Sequence, residues 1–430
     1  MRVNFFISFV ISLLLCSKII VAASVFEQKL YYLFIIPLVF LLFTIFFKKI
    51  SFIIRYVLVV PVAITYLAFV IFIILSVANY PKGDFPETNF KFVVVKEDEI
   101  DAGQYLYELL EQFDKILDES DRKMTNKNFN INLNKVSVVE LLYKTREKRS
   151  EIFRFIKSND ICVYQDLSNV NIIEGENDSN KLLILVSLFN IELLEVNYYR
   201  LEGKHQEAVD KYLDIWNNIA QIVEIKGNRL IETLIYINIT KTIGEYFYEN
   251  QEFFSDYNLS KVTHLKESIF DGLDKSFERA FLSEFIISKK TYKKYEKAWP
   301  LFDVNKYLKK IDQFNYTLVE SIKVPYDSYN QLKKLEEESN LHSVSLFHNY
   351  IGEILYYINV NMFSGLCEST VRIKNELSIY FYAMDKENYH VIPIDFVTGE
   401  RIITKDFPEH IELEFTLFNK CDLYTFKIKK

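Results

Sequence analysis

The chain has 430 residues, half of them hydrophobic, with 51 Lys/Arg against 58 Asp/Glu and a formal net charge of −7. Residues 1–80 hold six of those cations and one of the acids, which leaves 45 basic against 57 acidic residues, a net −12, in 81–430. A body that acidic excludes nucleic acid and anionic lipid as partners of its surface as a whole, because both select clustered Lys/Arg.

Ten Gly and eight Pro are few for this length, and barrels or sandwiches need more turn chemistry. The expected fold class is therefore mainly α: N-terminal transmembrane helices, an irregular stack of antiparallel helical hairpins, and a small C-terminal antiparallel β-sheet. Four cysteines, Cys16, Cys162, Cys367 and Cys421, form no C-x-x-C pair and no disulfide framework. A Cys367–Cys421 bridge is permitted in an oxidising compartment, though nothing in the spacing argues for it.

Leu30 to Phe47 is eighteen residues without charge, and Tyr56 to Ala78 is twenty-three. A hydrocarbon core about 30 Å thick takes about 20 apolar residues as helix, so each run is long enough to span. Lys48, Lys49 and Arg55 stand where the runs meet, and cations collect in short cytoplasmic loops. Residues 1–80 therefore read as a membrane anchor of two or three helices whose partner is the lipid bilayer. The expected location is the inner (cytoplasmic) membrane, with 81–430 on the periplasmic side. No acid lies within a span, so the anchor carries no evident ion path. Asn4 to Phe26 reads either as a signal peptide, with Val21-Ala22-Ala23 at the cleavage site, or as an uncleaved helix. The uncleaved helix is favoured, because the internal hairpin already anchors the chain.

Residues 81–96 form a linker, with Pro81, Gly83, Asp84 and Pro86 as turn residues and a short strand at 90–95. An extracytoplasmic helical domain follows over 97–385. Leu106, Leu109, Leu110, Phe113, Ile116 and Leu117 make one apolar face after the acidic start Glu97, Asp98, Glu99 and Asp101. Further helices are expected over Val136–Lys157, Lys181–Glu202, Lys204–Lys226, Asn228–Glu249, Ser260–Lys297, Asp303–Ile322, Tyr326–Glu338 and Leu346–Asp385. Residues 386–430 then read as a small β subdomain on the last long helix, with strands at Val391–Phe396, Arg401–Lys405, Ile411–Phe418 and Leu423–Lys429.

Two stretches resemble known families. In Leu201 to Tyr212, Gly203 matches the loop glycine of a tetratricopeptide repeat, Ala208 its small crossing residue, and Tyr212 its aromatic one turn later. The resemblance covers about 35 residues and implies an antiparallel hairpin over 181–226; no second repeat follows, and a solenoid needs about three. Farther on, Pro393, Asp395, Phe396, Thr398 and Gly399 follow a long helix. This ending resembles uncharacterised bacterial membrane-anchored helical proteins with a Pro-x-Asp-Pro-Phe-Thr-Gly turn, and its layout is similar to that of the pseudopilins of type II secretion. The proline after the aspartate is missing here. The resemblance implies a bacterial envelope protein and no chemistry. Asp395, Thr398 and Gly399 read as a structural turn, with the carboxylate on backbone amides and Gly399 at positive φ.

Catalytic and ligand motifs are lacking. Six histidines are scattered without His-Glu-x-x-His or zinc spacing, and no Walker, Gly-x-Gly-x-x-Gly or Gly-x-Ser-x-Gly motif occurs. Glu192 and Glu195 share a helix face, as in carboxylate metal sites, without the Glu-x-x-His partners that complete one. No cofactor, metal or nucleic acid is expected. The expected function is a non-enzymatic, membrane-anchored scaffold that holds a protein partner in the cell envelope, in a secretion or transport assembly. The alternative is an envelope hydrolase with an acid such as Asp395 in a cleft.

Overall fold

The computed structural model describes residues 88–89, 96–125, 135–163, 181–226, 230–293, 304–323, 350–385, 392–396, 398–416 and 423–429. The expected anchor with Lys48, Lys49 and Arg55, the strand at 90–95 and the helix Tyr326–Glu338 lie outside them, as does Cys421. Among the described residues no helix is long and apolar enough to cross a membrane.

The protein is mainly helical and ends in a small antiparallel sheet. Its helices are α1 (Glu97–Ile116), α2 (Glu119–Thr125), α3 (Lys135–Ser158), α4 (Ile184–Leu201), α5 (His205–Ile222) and α6 (Leu230–Glu249). They continue with α7 (Gln251–Phe254), α8 (Ser260–Thr263), α9 (Lys266–Lys293), α10 (Val304–Lys323) and α11 (Tyr350–Met384). Strands β1 (Ile403–Asp406), β2 (His410–Thr416) and β3 (Leu423–Lys429) form one sheet in that order. The chain divides into two compact units. One comprises Met1–Glu87, Ser288–Ile311 and Glu337–Val360; the other comprises Thr88–Ile287, Asp312–Glu336 and Asn361–Lys430.

Within the first unit, Asn359 Nδ2 donates to the Tyr307 hydroxyl at 2.8 Å, and Lys310 Nζ lies 5.2 Å from the centre of the Tyr356 ring.

Acidic residues open α1, where a positive helix end favours them. Its Leu106, Leu109, Leu110 and Phe113 are fully buried, or nearly so, as their spacing predicts. Gly103 on the same helix lets another backbone approach: a Cβ there would stand 1.9 Å from the Cys162 carbonyl oxygen. The segment 161–163 lies against it, Cys162 N–H donating to Glu99 O at 2.8 Å and Val163 N–H to Lys226 O at 3.0 Å.

The turn between α4 and α5 follows from Gly203. Its φ of +73° places it in the left-handed region. Gly203 N–H then reaches Arg200 O at 3.1 Å, and Lys204 N–H reaches Tyr199 O at 2.9 Å. These two bonds satisfy carbonyls that the helix end leaves open, the Schellman arrangement. α5 folds back onto α4, burying Ala208 and Tyr212 completely. The Tyr212 hydroxyl donates to Ile243 O at 3.0 Å, and its ring lies 4.7 Å from Phe254 and 6.0 Å from Tyr246. Large rings bury much apolar area, and the hydroxyl needs a partner once buried.

The expected helix over Ser260–Lys297 is broken. α8 ends after one turn, and α9 starts beyond His264 and Leu265. Thr263 Oγ1 donates back to Ser260 O at 2.6 Å, giving that carbonyl a side-chain partner in the turn before α9. Helices α2 and α7 were also not expected. They are too short for periodicity to reveal.

At the C-terminus the expected strand over Val391–Phe396 is absent among the described residues, where only Ile394 bridges to Arg401. Pro393 has no N–H to give a ladder, and the chain already turns at Asp395. In the sheet, Leu413 pairs with Phe426 and Ile411 with Ile428, so apolar residues alternate onto one face. Phe426 on that face lies 5.3 Å from the Tyr248 ring of α6 and 5.9 Å from Tyr380 of α11. The long helix was expected to cover the sheet; α6 shares that work.

Candidate functional site

A groove of about 540 Å³ opens between α3, α4 and α5. Each helix lines it with one stripe. α3 contributes Arg146, Arg149, Ser150, Phe153, Arg154 and Lys157, spaced three and four apart. α4 contributes Glu192, Glu195 and Tyr199; α5 contributes Lys211, Asp214 and Asn218. These spacings put the residues on single helix faces. Lys157 also lines an adjoining hollow of about 300 Å³ with Asn217 and Gln221.

The floor is a closed set of charges. Arg149 and Glu192 are 3% and 2% exposed and paired with each other, and Arg149 Nη1 is also 2.7 Å from Glu195 Oε2. Lys211 Nζ reaches Glu192 Oε2 at 2.6 Å and Glu195 Oε2 at 2.9 Å. Two cations thus balance two carboxylates. Arg149 Nε donates to Thr145 Oγ1 at 3.2 Å, and the Tyr199 hydroxyl donates to Glu195 Oε1 at 3.2 Å. Burial opposes ionisation of Glu195, but Arg149 and Lys211 more than offset it and hold the carboxyl at about 2. Burial likewise works against the charge of Lys211, and Glu192 and Glu195 overcome it, raising its pKa. A carboxylate held that low is a weak base at neutral pH. The set fixes three helices to one another, and it leaves Glu192 and Glu195 occupied by cations rather than open to a metal. Among the described residues no group of three or more His, Cys, Asp or Glu is arranged to hold a metal ion.

The rim differs from the floor. Arg146, Ser150, Arg154 and Lys157 are exposed, and the three cations have no hydrogen-bond or ion-pair partner among the described residues. Asn218 is 4% exposed, and its Oδ1 accepts no hydrogen bond among the described residues.

Glu192 and Glu195 line the groove, whereas the hairpin and turn residues singled out from sequence do not. Gly203 makes the turn of the α4–α5 hairpin, which supplies two of the groove's three walls; Ala208 is buried in α5, and Tyr212 reaches α6 and α7. Asp395, Thr398 and Gly399 form a turn with Gly399 at φ +70° and its N–H on Asp395 O at 2.8 Å. The Asp395 carboxylate accepts from Asn375 Nδ2 at 3.0 Å, and Asn375 Oδ1 accepts from Phe396 N–H at 2.7 Å. A side chain of α11 therefore clasps the turn. Beside it, buried Lys374 meets Asp274 Oδ1 at 2.6 Å, Ile322 O at 3.0 Å and the face of Phe396 at 5.0 Å. Sequence reasoning found Glu192 and Glu195 on one face but missed Arg149 and Lys211 as their partners. The i, i+3 spacing of Arg146, Arg149 and Arg154, Lys157 was the available signal.

No protein-family model, curated protein or solved structure matches the chain.

Proposed function

We propose that the protein is a membrane-tethered scaffold that holds a segment of a partner protein in the groove between α3, α4 and α5. One observation carries this reading: among the described residues the groove's floor charges are fully paired, while its rim cations and Asn218 Oδ1 have no hydrogen-bond or ion-pair partner. A rigid, internally neutral floor with unsatisfied polar groups above it suits binding better than proton transfer. Glu195, ionised and paired, is a poor acid or base, and Asp395, the acid of the hydrolase alternative, is 3% exposed in a clasped turn. Helical hairpins recurrently present such grooves to peptides. The tether rests on the uncharged runs Leu30 to Phe47 and Tyr56 to Ala78, with Lys48, Lys49 and Arg55 between them. On this reading the body lies outside the cytoplasm and its partner belongs to the cell envelope.

The test is site-specific photo-cross-linking of the full chain in its membrane. A photoreactive residue at exposed Ser150 should give one reproducible adduct with an envelope protein. The same residue at Asp271, exposed on α9 and away from the groove, should not. Absence of any adduct from Ser150, or the same adduct from both positions, overturns the proposal.

A further inference from the structure

We infer that the groove takes an extended acidic peptide, whose alternate carboxylates meet Arg146, Arg154 and Lys157 and whose backbone is read by Asn218. This inference rests on the scaffold reading above and gives its partner a chemistry.

Charge gives the sign of the ligand. Floor residues cancel one another, so what faces a ligand is three rim cations against Asp214. The rest of the body is acidic, which makes this strip a local exception that draws anions.

Spacing gives its length. Eleven residues of helix separate Arg146 from Lys157, a rise of about 16 Å. A lone phosphate or carboxylate reaches one end of such a strip and leaves the other unmet. An extended chain advances about 3.3 Å per residue, so about five residues cover the distance, and every second side chain points the same way. Carboxylates at alternate positions therefore fall along the cationic stripe. The adjoining hollow shared by Lys157 continues the trough past the end of the stripe.

Asn218 gives the backbone contact. A buried polar atom without a partner is destabilising, and Asn218 Oδ1, which accepts no hydrogen bond among the described residues, lines the groove where a ligand can supply a donor. The last torsion of an asparagine is broad, and turning about it brings oxygen or nitrogen toward the groove. An amide carries both a donor and an acceptor, the complement of one peptide unit. Single-stranded nucleic acid fits worse, because it needs aromatic platforms. Phe153 in the groove wall is buried and Tyr199 is tied to Glu195.

The experiment uses the full chain in neutral detergent and a fluorescent eight-residue peptide that alternates aspartate and alanine. Fluorescence anisotropy at low salt should show saturable binding, which weakens as salt is raised. The same peptide with asparagine for aspartate should not bind. The double variant Arg154→Gln/Lys157→Gln, confined to exposed side chains, should weaken binding about tenfold. Asn218→Ala should weaken it about fivefold if its melting temperature is unchanged; the rim variant decides the matter if it is not. A control pair that lines neither hollow, Lys275→Gln/Lys405→Gln, should leave binding unaltered. Equal binding of the asparagine peptide, or indifference to the rim variant, overturns the inference. So does rim-dependent binding of inorganic phosphate, a single-stranded oligonucleotide or anionic phospholipid vesicles with none of the peptide. An adduct from Ser150 together with no acidic-peptide binding leaves the scaffold and removes this chemistry. Peptide binding with no adduct from Ser150 in the membrane does the reverse.

Discussion

Replacing Arg149 by methionine removes one charge from a buried set of two cations and two carboxylates while keeping much of the side chain's volume. Glu192, 2% exposed, and Glu195, 13% exposed, are then left to Lys211 alone. Breaking a buried pair by deleting one partner costs about 3–5 kcal/mol, because the other charge stays behind. Arg149 and Lys211 together hold the Glu195 carboxyl at about 2 against an ordinary 4.5, a shift worth about 3 kcal/mol of which Arg149 supplies a part. For a chain of this size each kcal/mol moves the melting temperature by about 2 °C, so Arg149→Met should melt about 6–10 °C lower at neutral pH. Calorimetry of the full chain in detergent measures it. The sign with pH follows from the depressed carboxyl: its stabilisation is complete above pH 4.5 and is lost as the pH falls through about 2. The gap between native and variant should therefore narrow on acidification. Adding Glu192→Gln to Arg149→Met leaves Lys211 against Glu195, a balanced pair, and should recover about half of the loss. A variant that melts within about 1 °C of the native protein at pH 7, or a gap that widens in acid, refutes the reasoning.

Four further expectations can be checked separately. Gly203→Ala should cost about 1 kcal/mol, from positive φ alone, since nothing lies within 4 Å of the added carbon. Gly103→Ala, whose methyl meets the Cys162 carbonyl, should cost about 2–3 kcal/mol; equal losses in thermal melts would contradict both accounts. Asp312, 2% exposed, accepts the Thr88 hydroxyl at 2.6 Å and the Asn89 N–H at 2.8 Å. Asp312→Ala should speed hydrogen exchange at the Asn89 amide about tenfold or more, and unchanged exchange would deny that clasp a role. Alkaline phosphatase fused after residue 90 should be active and a cytoplasmic reporter there silent; the reverse pattern would place the body in the cytoplasm.

Helix identity was legible where apolar period and terminal chemistry agreed. Leu106, Leu109, Leu110 and Phe113 marked α1, and Gly203 marked the end of α4, because both signals are local. Breaks within helices were not legible: Thr263 bonding back to Ser260 leaves the apolar period almost untouched. Neither was the groove. Glu192 and Glu195 stood out as a pair, but their neutralisation by Arg149 and Lys211 joins residues 43 and 46 positions apart on a separate helix to a third helix. A cationic helix face looks the same in sequence whether it is solvated or roofs a buried carboxylate pair. Asn218 carried no signal at all, since an asparagine on a helix declares nothing until its surroundings fail to offer it a partner. The turn at Asp395 carries Gly399 at positive φ, a local signal, while its clasp by Asn375 comes from a helix twenty residues earlier.

Neighbouring positions on α11 also bear on the order in which the chain assembles. Asn375 closes a loop of 20 residues to Asp395, and Lys374 closes one of 100 residues to Asp274. Closing the longer loop is less favourable by about 1.4 kcal/mol of chain entropy, roughly a tenfold rarer encounter. The turn can therefore latch onto the end of α11 early and dissolve and re-form many times before α9 arrives. When it does, the Lys374 ammonium finds Phe396 already beneath it, and the slow long-range contact lands on a surface that the fast local one has prepared.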